Sequence, residues 1–243
     1  MSRAAIFRVR LVLSCRSPER IAAWRSLLSD DKCFPIIGIG ASAGGIEALQ
    51  GLFDGLPTDL GVGYVVVTHL SPDRESVLNE IVGRYTGMPV HVAEEGMAVQ
   101  PDHVYVLPAG TVLGLADGCL HIHRPSHGRR ERKPIDIFLS ELAIDRGHLA
   151  GGIILSGGDS DGTLGIKAIK ERGGVTMAQI ANGTAPQYPD MPDSAIRSGM
   201  VDFAVSLEDM GTRVADLYAA WQRSRPRSRR MLLPFPQRPK PIR

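Results

Sequence analysis

Three side chains able to act in concert follow three separate apolar runs of this 243-residue chain. Ser42 sits in Gly40-Ala41-Ser42-Ala43-Gly44, directly after "PIIGI"; His69 ends the run "YVVVTH"; Asp159 and Asp161 lie in "ILSGGDSDGTLG". G-x-S-x-G is the small-residue frame of a strand-to-helix elbow, where glycines remove the Cβ atoms that would clash and the hydroxyl is left exposed. A serine hydroxyl becomes a useful nucleophile only when a base takes its proton, and the base needs an acid to orient it. Ser42, His69 and Asp161 are therefore the candidate residues for acyl transfer through a covalent intermediate. The first amides of the helix after Ser42 are expected to donate to the developing oxyanion, where one lost donor costs about 2.7–4 kcal/mol.

A glycine-rich turn after a strand can instead cradle a phosphate. Gly38, Gly40 and Gly44 give G-x-G-x-x-x-G, one residue longer than the dinucleotide fingerprint. That fingerprint also needs an acid at the end of the second strand to bind a ribose hydroxyl. The second strand ends in Thr68-His69, and "GASAGGIE" contains no Gly-Lys-Ser/Thr. The phosphate reading lacks its partners, and the nucleophile reading has candidates for both of its own. Asp161 keeps a second reading, because it precedes Gly162 at the entry to a helix, where aspartate is a common N-cap. The other six histidines fall on short strands or polar loops, where a solvated surface role is expected.

These residues need a scaffold that brings three strand ends together. From Pro35 onward, short Val/Ile-rich runs alternate with segments of helical period such as "GIEALQGLFDGL", "DRESVLNEIVGRY", "PIDIFLSELAIDRG" and "DGTLGIKAIKERGG". Strands alternating with helices imply βαβ units, so the fold class is α/β: a doubly wound, mainly parallel sheet with helices on both faces. Open sheets of this kind place their sites at the carboxyl ends of the strands, where Ser42 and His69 fall. The short strands from about 89 to 123, with turn signals at Pro101-Asp102 and Asp117-Gly118, are expected to form a short antiparallel excursion.

Charge is distributed unevenly. Residues 1–33 hold seven Lys/Arg against three acids, 223–243 hold eight against none, and 34–222 carry a balance of −10. An acidic body argues against nucleic acid as a partner. The domain reading is a basic, weakly structured leader (1–33), a catalytic domain (34–222) and an Arg/Pro-rich disordered tail (223–243). For the tail, a solvated segment is weighed against weak contact with anionic lipid, worth about 1 kcal/mol per basic residue near a surface. Cys15, Cys33 and Cys119 are odd in number and widely spaced, which suggests neither a disulfide framework nor a zinc site. No apolar run approaches the roughly 20 residues of a membrane span, and a cytoplasmic location is expected.

From about Pro35 to Val205 the chain resembles the catalytic domain of bacterial chemotaxis protein-glutamate methylesterases, and most closely the versions fused to a receptor methyltransferase. The resemblance rests on "GIGASAGGIEAL", "VVVTHLSPD", "AEEGM…PDHVYVLP", "PIDIFLSELA", "ILSGGDSDGTLG" and "MPDSAIRSGMVD" in that order. It implies a Ser-His-Asp triad of Ser42, His69 and Asp161 that hydrolyses methyl esters of glutamates on a chemoreceptor or similar signalling protein. Glutamine deamidation by the same acyl-enzyme is implied in many members, and no metal or organic cofactor. Three departures stand out. Gly158 occupies a place where the family usually carries Met near the oxyanion, and Asp159 stands where Gly is usual. Residues 1–33 are too short for a receiver domain, so control through an attached receiver is not expected. A second carboxylate near the triad would raise the pKa of His69 and weaken it as a base. That motivates the alternative of a degenerate esterase domain kept as an interaction module.

Overall fold

The computed structural model describes residues 34–69, 78–123 and 133–224. The expected leader and nearly all of the expected tail lie outside them, as does the first half of the helix expected over "DRESVLNEIVGRY". Within them, strands β1 (Ile36–Ala41), β2 (Gly63–Thr68), β3 (Val90–Val92), β4 (Val104–Val106), β7 (Ala150–Ile154), β8 (Val175–Gln179) and β9 (Phe203–Val205) form one sheet. Its order is β3-β4-β2-β1-β7-β8-β9, and every pairing in it is parallel. The chain moves from β1 to β2 on one side and later adds β7 on the other. The direction of winding therefore reverses at β1, and the crevice beyond β1 and β7 is the expected place for a site.

The strands read as continuous apolar runs because both faces are covered. Side chains alternate between two cores: Ile36, Val65, Val67 and Ile154 face one way, and Ile39, Tyr64, Val66 and Ile153 face the other. The second face is covered by α1 (Gly45–Asp54), α2 (Leu78–Gly83) and α6 (Leu207–Ser224), which contribute Leu49, Leu52, Phe53, Val82 and Met210. The first carries α3 (Pro134–Arg146), α4 (Thr163–Glu171) and α5 (Asp190–Arg197), with Phe138, Leu139, Ile166 and Met191 fully or nearly fully buried. Pro134 opens α3 as expected, because a first-turn residue has no intrahelical use for an N–H. Gly38 and Gly40 let α3 lie directly on β1: a Cβ at Gly40 would stand 2.5 Å from Ile135 Cγ2, and one at Gly38 would overlap Leu139. That close approach fixes the height of the α3 N-terminus relative to the end of β1.

The antiparallel part is narrower than 89–123. Only β5 (Val112–Ala116) and β6 (Cys119–His123) pair antiparallel as strands, joined by Asp117 and Gly118, which both adopt positive φ as a two-residue hairpin requires. β3 and β4 instead extend the parallel sheet. The segment between them can return without a helix because it leans on the hairpin: Val99 donates to the Gly118 carbonyl over 3.0 Å and Leu120 donates to Met97 over 2.8 Å.

Candidate active site

Ser42 follows β1, His69 follows β2 and Asp161 lies in the loop between β7 and α4, so the three stand at the carboxyl ends of adjacent strands. The structure brings them into one hydrogen-bonded chain. Ser42 Oγ lies 3.1 Å from His69 Nδ1, and His69 Nε2 lies 2.8 Å from Asp161 Oδ2. A carboxylate only accepts, so Nε2 carries the proton and Nδ1 presents its lone pair to the serine hydroxyl. Nδ1 is thus the nitrogen placed to act as base. Ser42 is half-buried, the His69 side chain is 24% exposed, and that of Asp161 is 0% exposed.

The Asp161 carboxylate is satisfied on both oxygens. Oδ2 accepts from the Ile135 amide at 3.0 Å beside the His69 bond, and Oδ1 accepts from Asp136 at 2.9 Å and Gly162 at 2.8 Å. Asp161 is therefore a helix cap as well as the partner of His69, but the helix it caps is α3 and not the one that follows it. Burial pushes its pKa up, while the His69 hydrogen bond and the amides of Asp136 and Ile135 pull it down and prevail, so it stays ionised. For His69, the Asp161 hydrogen bond raises the pKa, burial opposes this, and the charges of Asp161 and then Asp159 add to the rise. The net direction is upward.

Asp159 is the smallest of those influences and has a local use. Its Oδ1 accepts the amide of Asp161 over 2.6 Å, closing a short side-chain turn that presents Asp161 to the histidine. Gly158 is exposed, and a Cβ there would meet open space. A larger residue is therefore sterically allowed at Gly158.

Two features of the turn were not legible beforehand. The Ser42 amide donates to the Ser156 carbonyl at 2.9 Å, and the Gly45 amide donates to the Ser42 carbonyl at 2.9 Å. Neither can serve an oxyanion, so the first residue of α1 is not the donor expected there. Among the described residues, the amides of Ala43 and Gly44 make no hydrogen bond, and Gly44 adopts φ +69°. These two are the donors that the turn leaves available beside Ser42. Second, Ser156 is a hub: its hydroxyl donates to the Ala43 carbonyl at 2.8 Å and accepts from the Tyr188 amide at 3.0 Å. Its own amide donates to the side chain of buried Gln179 at 3.1 Å. Ser156 joins the serine turn, the aspartate loop and the loop after β8, contacts that no local spacing reveals. Among the described residues, no cluster of three or more His, Cys, Asp or Glu is arranged to hold a metal ion.

The arrangement can deprotonate a serine at a carbonyl bound beside the turn. Comparison with known proteins agrees with this reading of the fold. Residues 37–214 match the family model described as CheB methylesterase. The chain is 30% identical over 227 residues to a protein-glutamate methylesterase/protein-glutamine glutaminase of Pectobacterium atrosepticum, covering 88% of this chain and 63% of that protein. A putative protein of the same description from Leptospira interrogans is 31% identical over 189 residues, covering 76% of this chain and 93% of that one. The first of these relatives is thus spanned over less than two thirds of its length. Among solved structures, the Thermotoga maritima CheB methylesterase catalytic domain superposes with a TM-score of 0.69 at 26% identity, covering 76% of this chain and 98% of the other. With the family model spanning most of the sequence and the parallel sheet shared with a solved catalytic domain, this chain belongs to the CheB methylesterase family.

Proposed function

We propose that the chain is a serine esterase that hydrolyses glutamate methyl esters on a chemoreceptor or related signalling protein, with Ser42, His69 and Asp161 as its catalytic residues. The observation that carries this is the continuous Ser42–His69–Asp161 hydrogen-bond chain at the switch point of a CheB methylesterase fold. Ser42 Oγ attacks the ester carbonyl as His69 Nδ1 takes its proton. The tetrahedral oxyanion is met by the amides of Ala43 and Gly44. Collapse expels methoxide, which leaves as methanol with the proton from His69. Water then gives one proton to the same nitrogen and adds to the glutamyl-serine ester; collapse releases the glutamate side chain as its carboxylic acid, which ionises to solvent, and returns the proton from His69 to Ser42. Asp161 holds the Nε2–H tautomer and stabilises the imidazolium formed in both halves. A glutamine amide would follow the same course with ammonia leaving, in keeping with the double description of the relatives.

The surroundings suit a macromolecular substrate. Ile46 lies four residues after Ser42, Leu164 three after Asp161, and the Tyr188 amide is held by Ser156. These side chains are 46%, 60% and 48% exposed, large apolar surfaces that a protein partner can cover. The test is methanol release from methylated chemoreceptor in membranes: release by the wild type and none by Ser42→Ala supports the proposal. Equal release by both proteins contradicts it.

A further inference from the structure

Asp136 is a buried carboxylate that the steps above do not use. It lies in the first turn of α3, where neither Lys133 nor any other local side chain caps the helix. The amides of Ile135 and Asp136 are instead capped by Asp161, which belongs to the loop before α4. α4 in turn is preceded by Gly162 at its cap position and has no side-chain cap of its own, and its Gly165 amide donates to Asp136 Oδ1 over 2.9 Å. The two helices thus exchange caps. Each aspartate satisfies amides that would otherwise be orphaned in the other's first turn.

We propose that Asp136 is a positioning residue for the triad: it anchors the start of α4 and lends its own amide to Asp161, holding that carboxylate opposite His69. The groups facing Asp136 are few. They are the Gly165 and Leu164 amides, the Asp161 carboxylate, and Lys133 Nζ at 3.6 Å from Oδ2. Burial and the neighbouring Asp161 charge push its pKa up, while the amides and Lys133 pull against this. What the cap requires is an acceptor oxygen, which asparagine also supplies. Without it, the start of α4 loses its tie to α3 through Gly165, and the loop carrying Asp159, Ser160 and Asp161 is held to α3 by the Asp161 carboxylate alone. A displacement of about 1 Å at a reacting group can cost about 100-fold in rate.

The experiment compares wild type, Asp136→Ala and Asp136→Asn in the full chain. It reads kcat and KM for methanol release, the rate of Ser42 labelling by a fluorophosphonate, and the NMR titration of the His69 ring. Asp136→Ala is expected to lower kcat and labelling about 10- to 100-fold with KM within about twofold, because Asp136 is too buried to meet substrate. Its His69 midpoint falls toward the ordinary histidine value. Asp136→Asn keeps both rates within about threefold and keeps the raised midpoint. A folded Ala variant with wild-type rates and titration overturns the proposal. Should the Ala variant fail to fold, a folded Asn variant that loses more than tenfold overturns it too, since charge and not the acceptor would then matter. The proposal rests on Ser42 being the nucleophile: an unlabelled wild type refutes that reading, and the His69 titration still decides the role of Asp136.

Discussion

The amide of Ser42 donates to the carbonyl of Ser156 over 2.9 Å, so the turn that carries Ser42 is fastened through backbone to the loop that carries Asp161. The Ser156 hydroxyl doubles this link through Ala43 and Tyr188. Ser156→Ala keeps the backbone bond but removes the partner of the part-buried Ala43 carbonyl and Tyr188 amide. It is expected to lose about 1 kcal/mol of stability by urea unfolding. Esterase activity should fall with it, and Ser156→Thr should recover part of both.

The pH profile follows from the direction of the His69 shift. Its base must be neutral, and its pKa is raised above the ordinary 6.5. Rising pH should therefore increase kcat/KM with a midpoint above 6.5, and Asp159→Asn should lower that midpoint slightly while keeping the turn to Asp161. Stability runs the other way. The His69–Asp161 pair contributes fully below the ordinary histidine value, and this contribution is lost as pH rises through the raised folded-state value. The contribution from ionised Asp161, whose pKa is lowered, is lost instead as pH falls through its depressed value.

Asp161→Asn tests the tautomer. The amide can offer a donor to Nε2 and favour a proton on Nδ1, which would face Ser42 with a donor in place of a lone pair. A loss of about 10⁴-fold in kcat is expected; the amide oxygen keeps the Asp136 and Gly162 bonds, while an NH2 facing Nε2 no longer accepts from Ile135, so the thermal midpoint should fall as well.

Gly40→Ala probes how α3 is seated. The added methyl meets Ile135 Cγ2 at 2.5 Å, and Ile135 supplies an amide to Asp161. Overpacking here should cost about 1–3 kcal/mol in denaturant unfolding and lower kcat with it. The same methyl introduced at Gly158 meets nothing within 4 Å, so Gly158→Ala should leave stability unchanged.

Tyr188→Ser and Leu164→Ser address substrate size. Both should raise KM for methylated receptor several-fold while leaving hydrolysis of a small aryl ester near wild type. Equal losses on both substrates would contradict a docking role.

Much of the candidate site was legible because Ser42 and His69 directly follow strands and Asp161 lies in the loop after a third. An elbow glycine frame marks Ser42, and a parallel order places His69 and Asp161 beside it. Asp161 was ambiguous between cap and acid because sequence shows only the helix that follows it; the cap it makes is on α3, 25 or 26 residues upstream. The roles of Asp136 and Ser156 are hidden in the sequence for the same reason, since their partners are distant along the chain. A run of short strands with turn signals points to an antiparallel excursion over 89–123, yet β3 and β4 pair parallel and only β5 and β6 form the hairpin. Here the β5–β6 hairpin supports the returning backbone instead.

Ser42 as the nucleophile of a working esterase is open to a direct chemical test. Treating the full chain with a fluorophosphonate and locating the adduct by peptide mass spectrometry tests it most directly. A single adduct on Ser42, absent from His69→Ala, is the expected result; a folded wild type that remains unlabelled, or is labelled elsewhere, would rule Ser42 out as the nucleophile.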